Sequence, residues 1–183
     1  MRTLRVTIVL GVVLGPVAAG AAMAGGDNHR KGHTKKATAT LVDGTGKRVG
    51  KVTLIQFRGK VTVAGRVTGI APGFHGFHVH AVGKCEGPAF TTAGGHFSAP
   101  GQTHGSHAGD LPPLLVNADG TASAAFETDR FTLAQLRDAD GSALIVHAGP
   151  DNFANIPPRY GTPDADTLAT GDAGARAACG VIR

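Results

Sequence analysis

The sequence predicts an all-β domain: an antiparallel Greek-key sandwich or barrel of about eight strands carrying two long functional loops. Three observations carry that expectation. Short runs alternate apolar and polar residues at the two-residue period of a strand. Turns such as Asp43-Gly44-Thr45-Gly46 and Asn117-Ala118-Asp119-Gly120 separate them in the manner of hairpins. Only the stretch 132–138 reads as helical, and it is short.

Alternation marks strands over 37–42, 49–57 and 61–67, with Arg58-Gly59-Lys60 turning between the second and third. Ala71-Pro72-Gly73 then leads into a strand that runs to His80. Further strands are expected over 114–117, 121–126, 143–147 and 177–182. Two segments lack any strand pattern: 83–113, rich in Gly, Pro, Ser, Thr and His, and 149–175, which holds four prolines. Loops of this length inside a domain are usually functional or disordered.

The chain start reads as a leader. Met1-Arg2-Thr3-Leu4-Arg5 is basic, an apolar run from Val6 to Ala22 is broken by Gly11, Gly15 and Pro16, and Ala22-Met23-Ala24 supplies the small residues of a cleavage site. Residues 1–24 are therefore expected to be a signal peptide cleaved after Ala24. The breaks and the cleavage site argue against a membrane anchor. Residues 25–36 form a flexible basic tail in which His29 and His33 are available to hold metal weakly, and 37–183 form the folded domain. The mature protein is expected outside the cytoplasm, secreted or at the cell envelope, with no stable membrane insertion.

The formal charge of +5 is not a nucleic-acid signal. From Ala37 onward twelve Lys/Arg face twelve Asp/Glu, so the domain is neutral and the surplus sits in the leader and tail. Cys85 and Cys179 are an even count in an exported chain, which implies one disulfide. Two free thiols or metal ligands are the other readings, and the absence of a C-x-x-C pair argues against ligation.

Seven histidines fall in the domain: His75, His78, His80, His96, His104, His107 and His147. On a strand, alternate side chains share a face, so His78 and His80 point the same way and make half of a nitrogen-rich metal site. His96, His104 and His107 lie on the first long loop, Asp110 follows three residues later, and His147 ends a strand where the second long loop begins. Imidazole nitrogens suit copper and zinc, and an added carboxylate suits zinc.

Three stretches carry a family resemblance: Gly73-Phe74-His75-Gly76-Phe77-His78-Val79-His80, Gly141-Ser142-Ala143-Leu144-Ile145-Val146-His147-Ala148-Gly149-Pro150-Asp151-Asn152, and Gly171-Asp172-Ala173-Gly174-Ala175-Arg176-Ala177-Ala178-Cys179-Gly180-Val181-Ile182. Together they resemble the copper–zinc superoxide dismutases, the exported actinobacterial and mycobacterial members most of all, over nearly everything from Ala37 to the end. The resemblance implies copper held by His78, His80, His96 and His147, with His96 bridging to a zinc held also by His104, His107 and Asp110. It implies that Cys85 and Cys179 form a disulfide, that Arg176 attracts the anion beside copper, and that Asp151 links a copper histidine to a zinc histidine. His75 matches a loop tether rather than a ligand. The implied activity is disproportionation of superoxide to oxygen and hydrogen peroxide, by a monomer or homodimer.

Two departures stand out. His104 and His107 are only three apart, where the usual zinc loop is longer, and the charged guidance residues of eukaryotic members are not evident over 149–175, where Asp164 and Asp166 are the available substitutes. A non-enzymatic copper-binding or buffering protein on the same fold is the alternative. It is disfavoured because Arg176 and all four copper positions are intact.

Overall fold

The structure is a computed structural model and describes residues 34–183. The expected leader over 1–24 and most of the expected tail, with His29 and His33, lie outside the described residues. The strands are β1 (Lys35–Asp43), β2 (Arg48–Phe57), β3 (Lys60–Val67), β4 (Gly73–His75), β5 (Phe77–His80), β6 (Leu114–Val116), β7 (Ala122–Thr128), β8 (Ala143–His147) and β9 (Arg176–Val181). β1 takes in Lys35 and Lys36, which the charge pattern had assigned to the tail; their backbone pairs in register with Gln56 and Ile55 of β2.

Seven strands form one curled antiparallel sheet in the order β5-β8-β9-β1-β2-β3-β7, and β4 and β6 form a two-stranded ribbon. Among the described residues there are nine strands rather than eight because the histidine run breaks at Gly76. β4 pairs with β6 while β5 pairs with β8, so one continuous run serves two sheets. A Cβ on Gly76 would lie 2.7 Å from the Ala173 Cβ, closer than side chains approach, so glycine suits this crossing. The helical reading of 132–138 narrows to a 3-10 turn, Gln135–Arg137, held by the Gln135 side chain on Thr132. The second long loop contains one α-helix that alternation did not reveal, α1 (Ala165–Thr170), capped by the Asp164 carboxylate on the Thr167 amide. Asp164 is thus occupied as a cap.

The core fills the inside of the curled sheet. Leu41, Val52, Leu54, Val61, Val63, Phe77, Val79, Leu144 and Val146 are buried there with Phe131, Leu133 and Leu136. Alternation then forces Ala143 and Ile145 of β8, and His78 and His80 of β5, onto the outer face. That face is buried as well, because the two long loops cover it. Phe90, Ala93, Ala143, Ile145 and Cys179 make a second small cluster there, beside the Cys85–Cys179 disulfide. The disulfide closes a span of 94 residues, which restricts the unfolded chain by about 5 kcal/mol on the loop-entropy account.

Ser142, just before β8, has its Oγ buried and without a partner. Burying a hydroxyl unpaired costs free energy. Ser142→Ala should therefore leave stability unchanged or raise it by up to about 1 kcal/mol, whereas Leu144→Ala next to it should cost about 2–5 kcal/mol. Urea unfolding of the oxidised, metal-free protein measures both.

Candidate metal centre

The outer face of β5 gathers the site because its free edge is used by the first long loop. The Val79 amide donates to Gly109 O at 2.9 Å, Phe97 N donates to Val79 O at 2.8 Å, and Ala81 N donates to Gly95 O at 2.9 Å. These bonds set His96 opposite His80 and Asp110 opposite His78 as isolated bridges. On the other side, β8 pairs with β9 through a register shift at Val146/His147, and this bulge places Arg176 opposite His147. Four chain segments thus converge although His78 and Arg176 are almost a hundred residues apart in sequence.

Backbone carbonyls fix the tautomers of two rings. His80 Nδ1 donates to Gly94 O at 2.9 Å, and His147 Nδ1 donates to Gly174 O at 3.0 Å. A carbonyl only accepts, so each Nε2 carries the lone pair. Those two Nε2 atoms face one another at 3.4 Å. His78 uses Nε2 on Asp151 Oδ2 at 2.6 Å, which leaves its Nδ1 buried and unpartnered. His96 Nε2 is likewise buried without a partner. Burial opposes charge on His78, His80 and His147, outweighing the bonds that favour it, and His147 is pushed down to about 4. The three rings are neutral at pH 7. His78, His80, His96 and His147 offer atoms within 4.8 Å of one another, a nitrogen set that fits copper.

A second convergence lies beyond His96. Its Nδ1 is 3.0 Å from Asp110 Oδ1, 3.2 Å from His104 Nδ1 and 3.4 Å from His107 Nδ1. His104 Nδ1 and His107 Nδ1 each stand 3.3 Å from the same Asp110 oxygen. A tetrahedron of ligands around zinc has edges of about 3.3 Å when the metal–nitrogen bonds are about 2.0 Å. The spacing of this donor set therefore fits zinc. His78 also lies within 4.8 Å of His96, His104 and Asp110, but its Nε2 is committed to Asp151, and His107 completes the tighter set. The shortened loop thus brings both of its histidines inward.

Asp151 joins the two clusters. Its side chain is 1% exposed; Oδ2 accepts from His78 Nε2 and Oδ1 accepts from His104 Nε2 at 2.7 Å. Burial acts to raise Asp110 and Asp151, but their histidine hydrogen bonds outweigh it and hold both carboxyls well below the usual carboxylate range. For His104, burial acts to lower the ring, and the bonds to Asp110 and Asp151 win, raising it to about 9. Gly171, at φ +63°, permits this approach: a Cβ there would fall 2.3 Å from both Asp151 Oδ1 and His104 Nε2.

Arg176 donates to Phe90 O and Gly94 O, each at 2.5 Å. It lines a pocket of about 450 Å³ with Pro88, Ala89, Thr91, Gly174 and Ala175. Gly174 is also the residue whose carbonyl orients His147, so the pocket that holds the cation is bordered by an anchor of the cluster. Neither Asp164 nor Asp166 lines it. His75 stands apart from the donor sets, its ring nitrogens lying 2.7 Å from His147 O and 2.8 Å from Ala71 O.

Sequence reasoning missed the anchors. The carbonyls of Phe90, Gly94 and Gly174 hold the site, and backbone groups leave no trace in side-chain patterns. The Leu168 carbonyl, on α1, accepts from His104 N at 2.8 Å; Asp164 and Gly171 at the helix ends were the signal for that element.

The family model described as "Copper/zinc superoxide dismutase (SODC)" matches residues 48–182. "Superoxide dismutase [Cu-Zn]" of Mycobacterium tuberculosis is 47% identical over 163 residues, covering 79% of this chain and 68% of that one. The protein of the same name from Mycolicibacterium paratuberculosis is 45% identical over 158 residues, covering 76% and 70%. Among solved structures, a SOD-like protein from Bacillus subtilis superposes with TM-score 0.67 at 29% identity, covering 79% of this chain and 96% of its own. The clock protein EA4 superposes with TM-score 0.66 at 32% identity, covering 80% and 92%. The chain belongs to the copper/zinc superoxide dismutase family.

Proposed function

We propose that this chain disproportionates superoxide at the joined clusters, with His78 Nδ1 and the Nε2 atoms of His80, His96 and His147 holding copper. Zinc is held by the Nδ1 atoms of His96, His104 and His107 with Asp110 Oδ1. The observation that carries the reading is the set of buried imidazole lone pairs aimed at common points, with His78 Nδ1 and His96 Nε2 lacking any other partner. Facing lone pairs repel unless a cation lies between them.

Copper held there would supply one-electron redox chemistry between Cu(II) and Cu(I), and zinc would order the loop. The balance is two superoxide and two protons in, one oxygen and one hydrogen peroxide out. The protein's own part is to dock, orient and supply protons. Arg176 offers a fixed cation in the pocket where a small anion arrives, held in place by two carbonyls. His96 is the ring common to both clusters, and its Nε2 is the atom that takes up and yields a proton. Asp151 fixes the orientation of His78 and His104 together. A copper buffer on the same fold is not favoured, because every ligand side chain of the copper set is buried. Fold likeness alone would not decide this, since one fold serves many functions.

Export through the leader over 1–24 is part of the proposal, supported by the Cys85–Cys179 disulfide. No helix among the described residues is long and apolar enough to cross a membrane.

Protein reconstituted with stoichiometric copper should consume superoxide, and zinc alone should give none; absence of activity with full copper occupancy overturns the assignment. Arg176→Ala should lower the rate by about tenfold at low ionic strength and flatten its salt dependence, with copper content by metal analysis unchanged. Zinc uptake should depend on pH. The His104 ring holds its proton up to about 9, and zinc must displace that proton. Apparent zinc affinity, by competition with a chromophoric chelator, should therefore rise about tenfold per pH unit between pH 6 and 8 and level off above 9.

A further inference from the structure

The segment from His104 to Asp110 supplies three of the four atoms of the proposed zinc set, yet it is short and carries little structure of its own. Asp110 holds it from within: Gly105 N and His107 N donate to Asp110 Oδ2 at 2.8 Å and 3.0 Å, while Oδ1 faces the histidines. From outside the segment, one side chain among the described residues donates to its backbone. Arg130, just past the end of β7, places Nη1 at 3.1 Å from His107 O and 3.4 Å from Asp110 O. The same His107 carbonyl accepts from Asp110 N at 3.2 Å, so the guanidinium closes over both ends of a single turn. Its launch point is fixed, because Arg130 N donates to Thr128 Oγ1 at 3.2 Å.

We infer that Arg130 is a positioning residue for the zinc site: it ties the His107–Asp110 turn to the barrel and keeps the imidazole and carboxylate at zinc-binding separation. The inference rests on the reading of His96, His104, His107 and Asp110 as zinc ligands. A short loop gains most from such a tie, because it has few internal bonds to hold its ligands once thermal motion opens the turn. The bond is charge-assisted, which makes it stronger than a neutral one. Because one nitrogen reaches both carbonyls, the fork geometry of arginine is not required, and a lysine ammonium can do the same work.

The test compares the full chain with Arg130→Ala and Arg130→Lys. Each is loaded with copper and zinc and mixed with an excess of chromophoric chelator, and zinc release is followed. Hydrogen exchange is measured separately at the amides of 105–110 in metal-free protein. Arg130→Ala should release zinc about 10- to 100-fold faster, with copper content unchanged and exchange faster over 105–110 but not in β1–β3. Arg130→Lys should restore most of both. Zinc release and exchange in Arg130→Ala within about twofold of the unmutated chain would overturn the inference, as would equal loss of copper and zinc, which marks general destabilisation. If the unmutated chain takes up no zinc, the ligand reading fails, and exchange over 105–110 alone decides whether Arg130 holds the turn.

Discussion

The carboxylate of Asp151 is the interaction on which the rest of the site depends. One oxygen fixes His78, leaving its Nδ1 with the lone pair, and the other fixes His104 so that its Nδ1 is the nitrogen a metal would reach by displacing a proton. A neutral residue in its place would free both rings to choose another tautomer or orientation. Because the carboxylate is buried, its charge is not diluted by solvent, and with Asp110 it puts two negative charges among six imidazoles. The protonated His104 ring offsets part of that charge, and a bound metal would offset more.

The barrel makes this possible by an inversion of the usual arrangement. Its interior is apolar and closed, so the histidines of β5 are turned to the outside. Water is excluded there by two loops rather than by a core. Those loops are held mainly at their backbones: at Gly95, Phe97 and Gly109 against β5, at Cys85 by the disulfide, and at Leu168 through the short helix. Ligands carried on loops gain precision only when the loop is tied at several points, and here the ties fall within a few residues of each proposed loop ligand.

Much of this was legible in the chain. Alternation located eight strand segments, and the histidine spacing on β5 put His78 and His80 on one face, where the structure has them. The three long motifs pointed to the family and to the four-histidine and His-His-His-Asp sets. What alternation could not show was the break at Gly76, because a run that changes sheets keeps its alternating pattern while its partners switch from β6 to β8. Nor did it show α1, whose six residues are too few for a helical period to emerge. The contribution of Arg130 was invisible for a different reason: it touches two carbonyls, and carbonyls belong to every residue alike.

The Gly94 carbonyl accepts from both His80 and Arg176. A single oxygen atom therefore sets the ruler between the ring that would hold the metal and the charge that would greet the substrate. Movement of Gly94 carries both together, and the second bond of Arg176 to Phe90 O keeps the loop before it in step. Pro88, Ala89 and Thr91 are exposed and line the pocket, so substitutions at these three are free to alter how its mouth looks to an approaching anion while leaving the distance it finally travels the same.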